Sequence, residues 1–404
     1  MKAGKLLLCL TICFFIFSLL GNSLFAQVTV VDSSLLDRVT ELEKQAAYKK
    51  PGEDHFMVVG LTTIGWNLNK TTVTSAGVGQ SVKTNSFPDD AEFEFSPMFL
   101  WRHGTKFLME FEPSYSSGGG LGVNWADVSY FASPGLIIRA GYFVVPFGIY
   151  NKRLAAGWIN KLATDPPVAD IPNDADYGVE VEGGLPLGNM KWSYDVSLTN
   201  GNQLLTDGEM QGVGSIDNNQ NKAVTARLSL LPFSNSSLEI GVSGQIGQVG
   251  DAGAPNHSAQ SKAYAIDLDY VKLFNPILLN IKGQYNYVYV TNQNYINPND
   301  SSVYTFDNKT TTGFAQISLR PTGSSNSFIK DLELAYRYSN FIAPTGSLWG
   351  QKNKISEAAL LYWISWRTVL KCAYQWNNSN STALGTEGTT TQSNTLFLQF
   401  AIQL

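Results

Sequence analysis

Histidine, cysteine and long apolar runs are all scarce in this 404-residue sequence, and each scarcity removes a class of function. The three histidines, His55, His103 and His257, stand far apart along the chain, which supports neither a serine–histidine hydrolase nor a histidine metal site. Of the three cysteines, Cys9 and Cys13 fall in an N-terminal apolar run. Cys372 is then left alone, which excludes a disulfide framework and a cysteine-based metal site. Charged residues make up only 15% of the chain and the net charge is −5, so there is no basic field for nucleic acid. No glycine-rich phosphate cradle precedes a helix, and no cofactor or metal is expected.

The N-terminus opens with Lys2 and Lys5, continues as an apolar run from Leu6 to Leu20, and turns small and polar before Ala26. That order reads as a secretory signal peptide, residues 1–26, cleaved after Ala26. Leu24 stands where a small residue is usual, and an N-terminal membrane anchor is the competing reading. Beyond it no run of about 18 apolar residues occurs, so nothing else reads as a transmembrane helix. Aromatic residues are nevertheless 12% of the chain, and there are 36 glycines. A membrane β-barrel has this composition, because its strands alternate and never produce a long apolar run.

One stretch has helical spacing. In residues 32–50, Leu35, Val39, Leu42 and Ala46 recur at intervals of four and three, Ser33 or Ser34 can cap the start, and Pro51 and Gly52 end it. At under two heptads it is too short to hold an oligomer by itself. Residues 27–54 are expected as a periplasmic helical segment.

From His55 the period changes to two. Sixteen strand-length segments are expected, at 55–67, 91–102, 106–115, 121–132, 135–145, 177–185, 190–199, 222–231, 237–247, 262–273, 276–290, 312–320, 328–338, 354–366, 368–376 and 395–404. Long and short connections alternate between them from one end to the other. An outer-membrane barrel has tight periplasmic turns and roomy extracellular loops, and an even strand number returns both termini to one side. The fold class expected is all-β, a transmembrane antiparallel barrel over residues 55–404.

The strand faces agree with that. In residues 191–198, Trp192, Tyr194, Val196 and Leu198 oppose Lys191, Ser193, Asp195 and Ser197; in 277–290, Ile277, Leu279, Ile281 and Tyr285 oppose Asn280, Lys282, Gln284 and Asn286. Charges occur on the polar face of nearly every strand, too many for a dry core. The apolar face is therefore expected against lipid and the polar face around a water-filled lumen, since about sixteen strands leave an aqueous channel.

The lumen-lining charges expected are Glu92, Glu94, Arg102, Lys106, Glu110, Glu112, Arg139, Glu180, Glu182, Arg227, Lys282, Arg320 and Arg337. The longest connection, 146–176, carries Leu154, Ala155, Trp158, Ile159 and Leu162 at the spacing of a short apolar helix, ended by Pro166 and Pro167. A loop of that size and apolarity is expected to fold inward and narrow the channel. Lys152, Arg153, Lys161 and Asp165 would be its charged groups.

The segment LIIRAGYFVVPFGIYN, residues 136–151, with ADVSY (126–130) before it and GVEVEGG (178–184) after it, resembles phosphate-selective porins of the O and P type. The resemblance implies a homotrimeric, sixteen-stranded diffusion porin of the Gram-negative outer membrane, passing small hydrophilic solutes or ions. It also implies a ladder of arginines and lysines tuned to anions such as phosphate. Here the presumed inward acids, which also include Asp195, Glu239, Asp267, Asp269, Glu333 and Glu357, are at least as many as the bases. Mixed charge argues against a purely anion-tuned pore.

Two other classes compete. A barrel enzyme would need a carboxylate pair, and a turn at His103–Thr105 would put Arg102 opposite Lys106, Met98 opposite Glu110 and Ser96 opposite Glu112. Glu94 and Glu112 would then be diagonal neighbours about 5 to 8 Å apart, a spacing that any period-two strand with inward acids produces. No catalysis is expected. An outer-membrane barrel for hydrophobic-solute uptake belongs to the same class of alternative; an exported soluble β-protein is the last, and a TonB-type transporter is excluded because residues 27–54 are too few for a plug domain.

Overall fold

A computed structural model describes residues 54–86, 93–133, 135–157, 159–217 and 219–403. Its strands, in chain order, are β1 (His55–Ser75), β2 (Val78–Ser86), β3 (Phe93–His103), β4 (Phe107–Ser116), β5 (Gly120–Ser133), β6 (Leu136–Val144) and β7 (Ala175–Leu187). There follow β8 (Met190–Thr199), β9 (Asn202–Leu204), β10 (Met210–Gly212), β11 (Ala223–Leu231), β12 (Leu238–Gln248), β13 (Gln260–Phe274) and β14 (Ile277–Val290). The last are β15 (Tyr295–Ile296), β16 (Val303–Tyr304), β17 (Lys309–Arg320), β18 (Leu332–Ile342), β19 (Gln351–Ser365), β20 (Thr368–Ser381) and β21 (Thr390–Gln403). The expected N-terminal helix and signal peptide, with Glu92 and Trp158, lie outside the described residues.

Each long strand pairs antiparallel with the next, and β1 pairs with β3 on one edge and with β21 on the other, Leu61 facing Gln403 and Thr74 facing Thr390. The sheet is thus a closed barrel of sixteen antiparallel strands, all sixteen expected segments being present. Closure matters because an unpaired backbone amide in hydrocarbon costs several kcal/mol. Strands β9, β10, β15 and β16 form two small hairpins in the long connections.

Three local departures from expectation have visible causes. β1 does not stop at 67: it continues to Ser75 and turns through Ala76 and Gly77, both at positive φ, into β2. Two such residues make the mirror-type turn that suits a two-residue hairpin. β18 starts at Leu332 because Asn326 caps a helical turn, its side chain accepting from the amides of Phe328 and Ile329. The β3–β4 turn is Gly104 to Lys106, with Gly104 at φ 58°, so Arg102 faces Leu108 and Leu100 faces Glu110. The expected register was displaced by two residues, which preserves the faces but changes every partner.

The barrel is inside-out relative to a soluble sandwich. Its exterior carries Phe95, Trp101, Phe107, Met109 and Phe111, with Val196, Tyr264, Ile266, Leu334 and Tyr336 further round, all exposed. Phe56, Phe99 and Phe111 stack in a row across three strands at 6.2 Å centroid spacings. Its interior holds Asp127, Glu180, Arg227, Asp267, Glu333, Arg337, Glu357 and Lys371, all buried. Such charges survive burial only if paired; part of the pairing is wall to wall, as in Arg227–Asp267 and Arg337–Glu357, and part comes from the connection between β6 and β7.

Candidate constriction

The chain leaves β6 at Val144 and returns in β7 at Ala175, and between them it crosses the lumen. Val145 and Phe147 pack on Ala263, Ala265 and Val288 of β13 and β14. Gly148, at φ 68°, then redirects the backbone. Its amide donates to Ser243 Oγ at 3.0 Å, and the amides of Ile149 and Tyr150 both donate to Gln284 Oε1 at 2.9 Å. A Cβ on Gly148 would lie 2.1 Å from Gln284 Nε2, so the glycine of the VPFG motif is required both by φ and by this close approach.

The apolar residues expected to form a helix do not. Among the described residues Tyr150–Leu154 makes one helical turn, of the wide π type, and the amides of Ile159 and Asn160 donate to Ala156 O at 2.7 and 2.8 Å in a further single turn, but no continuous helix runs between them. Their burial is as expected: Leu154 sits with Ile149, Tyr150, Val168 and Phe314, and Leu162 with Leu361, Trp363, Val369, Ala373, Phe397 and Ala401. Tertiary anchors replace helical hydrogen bonds. Glu357 accepts from the amides of Ala163 (2.8 Å) and Thr164 (3.3 Å), while Lys371 Nζ donates to Leu162 O at 2.9 Å. Arg337 donates to both Thr164 O and Glu357 at 2.8 and 2.9 Å.

The basic groups of the loop are likewise held by the wall. Lys152 Nζ lies 2.9 Å from Glu180, 3.0 Å from Glu182 and in contact with Asp195. These three carboxylates are close enough together to hold a cation, and the lysine ammonium takes that place. Arg139 bridges Glu180 and Glu182 from the other side at 3.3 and 3.4 Å. Arg153 pairs with Glu239, which Arg227 also meets at 3.2 Å while contacting Asp267 at 2.6 Å. Lys161 stands 3.4 Å from Glu333 and 4.3 Å over the Trp363 ring, whose Nε1 donates to Glu333 at 2.8 Å.

The two lysines differ in their electrostatics. Burial opposes the charge on Lys152, but Glu180, Asp195 and Glu182 overcome it and raise its pKa above the usual lysine value. At Lys161 burial, helped by the nearby Arg320, wins over the carboxylates of Glu333 and Asp269 and the pKa is lowered. Asp165, the loop's acid, accepts from Tyr150 Oη at 2.5 Å and Asn160 Nδ2 at 2.9 Å.

Of the expected lumen charges, Glu180 and Glu182 meet both Lys152 and Arg139, Glu110 lies 3.9 Å from Arg139, Arg227 shares Glu239 with Arg153, and Lys282 faces Asp269 across the β13–β14 ladder. Arg320 pairs with Asp331 at 3.0 Å near the short turn 321–331. Lys106 is a correction: it belongs to the β3–β4 turn, 5.7 Å from the Tyr130 ring, rather than to the wall, and Arg102 beside that turn is exposed. The Glu94–Glu112 pair is another correction. Glu94 faces Ser116, so Glu112 is not its diagonal neighbour; the two acids instead border one cavity and are linked through Ser96 and Asn124. The anchors Gln284, Tyr150, Asn160 and Thr164 were not foreseen; each is a polar residue in a face or loop with nothing local to mark its distant partner.

On the β1–β5 side the loop leaves space. A cavity of about 500 Å³ is lined by Leu61, Glu94, Glu112, Asn124, Trp125 and Asp174 with the loop's Lys152, Arg153 and Asp165. A second, of about 390 Å³, shares Leu61, Glu94, Ala155 and Asp165 with it, so the two adjoin along the same wall.

No protein-family model and no curated protein matches the sequence. The fold is nevertheless shared with solved barrels. The chain is 12% identical to the outer membrane channel DcaP of Acinetobacter baumannii, covering 88% of this chain and 99% of that one at a TM-score of 0.54. It is 13% identical to an anion-selective porin from Comamonas acidovorans, over 87% of this chain and 100% of that one at 0.51. Against OmpF of Salmonella typhi, solved with daunomycin, the identity is 11% over 86% and 97% of the chains at 0.50. At these identities the likeness is one of fold, that of the outer-membrane porins.

Proposed function

We propose that this protein is a porin of the Gram-negative outer membrane, forming a water-filled channel through which small hydrophilic solutes and ions diffuse passively. One observation carries the reading: a closed sixteen-stranded barrel with an apolar exterior encloses charged walls and a loop that partly fills them, leaving cavities beside the loop. A barrel exterior rich in Phe, Val, Ile and Tyr suits hydrocarbon, and charged walls suit water. Residues 1–26 would be the export signal and 27–54 a periplasmic segment. The assembly would be a homotrimer, as the resemblance to the O and P type implies.

Phosphate selectivity receives less support. The bases of the loop and walls are engaged by carboxylates, as at Lys152, Arg153, Arg139 and Arg227, rather than arrayed as a free ladder. Planar-bilayer recording of the folded protein tests the proposal. Stepwise conductance is expected, and its absence would remove the channel.

A further inference from the structure

The space left by the loop is bounded by charges of very unequal availability. Among the described residues, Glu94 accepts from Ser96 at 2.6 Å and Glu112 from Asn124 at 2.9 Å. Glu112 is itself 8% exposed, Asn124 donates to its Oε1, and the side chain borders the cavity. Asp174 borders the same space from the end of the loop. None of these three has a basic partner among the ion pairs of the described residues.

The cavity's bases are in the opposite condition. Lys152 is enclosed by three carboxylates and Arg153 is shared with Glu239. Lys152 and Arg153 are thus countered where they stand, whereas Glu94, Glu112 and Asp174 have no such counter-charge among the ion pairs of the described residues. A space of this volume is about 10 Å across, comparable to the Debye length at ~0.1 M salt, so an ion inside it stays within reach of all three carboxylates.

We infer that the passage along β1, β3, β4 and β5 prefers small cations over anions, with Glu94 and Glu112 as the residues that set the preference. The inference rests on the channel reading and gives it a sign. Carboxylates that line a narrow aqueous path raise the local cation concentration and exclude anions. The loop bases do not oppose this, because the wall acids already neutralise them.

The test is the zero-current potential of the full-length folded protein in a planar bilayer under a potassium chloride gradient. Potassium should be the more permeant ion, and Glu94→Gln with Glu112→Gln should lower the potassium-to-chloride permeability ratio by about two-fold or more, toward unity. Heat-modifiable gel mobility establishes that the variant barrel is folded. If that double variant does not fold, Asp174→Asn, outside the barrel strands, supplies the same readout with a smaller fall expected. Chloride preference in the natural protein, or a ratio unmoved in the folded variants, overturns the inference while leaving the channel intact. A folded protein without conductance overturns the channel reading and this inference with it.

Discussion

The lumen has two unlike halves. Toward β12–β20 the loop is packed onto the wall: Leu162 is fully buried among apolar side chains, Glu357 caps loop amides, and Arg153 and Lys161 each find a carboxylate. Toward β1–β5 the wall residues Glu94, Glu112, Asn124 and Trp125 face open space. Both halves come from the same alternating strands. The difference shows that a polar wall is filled where protein groups satisfy it and leaves a cavity where they do not.

The largest effect should come from removing Lys152. Lys152→Ala leaves Glu180, Glu182 and Asp195 crowded around a vacated cation position, and breaking a buried ion pair from one side costs roughly 3–5 kcal/mol. The loop should loosen, raising single-channel conductance; unchanged conductance would mean that apolar packing alone holds it. Next is Leu162→Ala, where loss of a fully buried side chain costs about 2–5 kcal/mol and should expose the loop to protease in the folded barrel. Equal protease resistance would place the anchor in the ion pairs instead.

Gly148→Ala should cost less, about 1–3 kcal/mol, because a left-handed φ must be held and Gln284 must move aside. Conductance noise should rise, and a silent variant would show that the entry turn can re-form. The smallest effect is with pH. The raised pKa of Lys152 means that its stabilisation is complete below the ordinary lysine value and is lost as pH rises through the higher folded value. The lowered pKa of Lys161 has the reverse sign: stability grows from its folded value up to the ordinary lysine value. Alkaline titration of loop protease resistance should therefore rise before it falls, and Lys161→Met should remove the rise.

Much of this was legible from residue order. The sixteen strands, the exterior aromatics of β3 and β4, the inward charges and the inward fold of 146–176 follow from a period of two and from a long apolar connection that has no place on a wet surface. Near Leu154 to Leu162 the described residues form single turns instead of the expected helix, because spacing records which side chains are buried, not which backbone conformation buries them. Strands built their own hydrogen bonds with neighbours in sequence, whereas this loop obtained its bonds from Gln284, Glu357 and Lys371 on distant strands.

The sequence by itself determined which face of each strand meets hydrocarbon and which meets the lumen, since side chains alternate with every residue. It also determined that the barrel could close, because β1 and β21 both alternate and each needs an edge partner. Only the tertiary structure decided which acid meets which base. Lys152 finds Asp195 43 positions away and Thr164 finds Glu357 193 positions away, pairings set by the path of one loop across the lumen. The same path decided which carboxylates were left over, and so which wall faces the cavity.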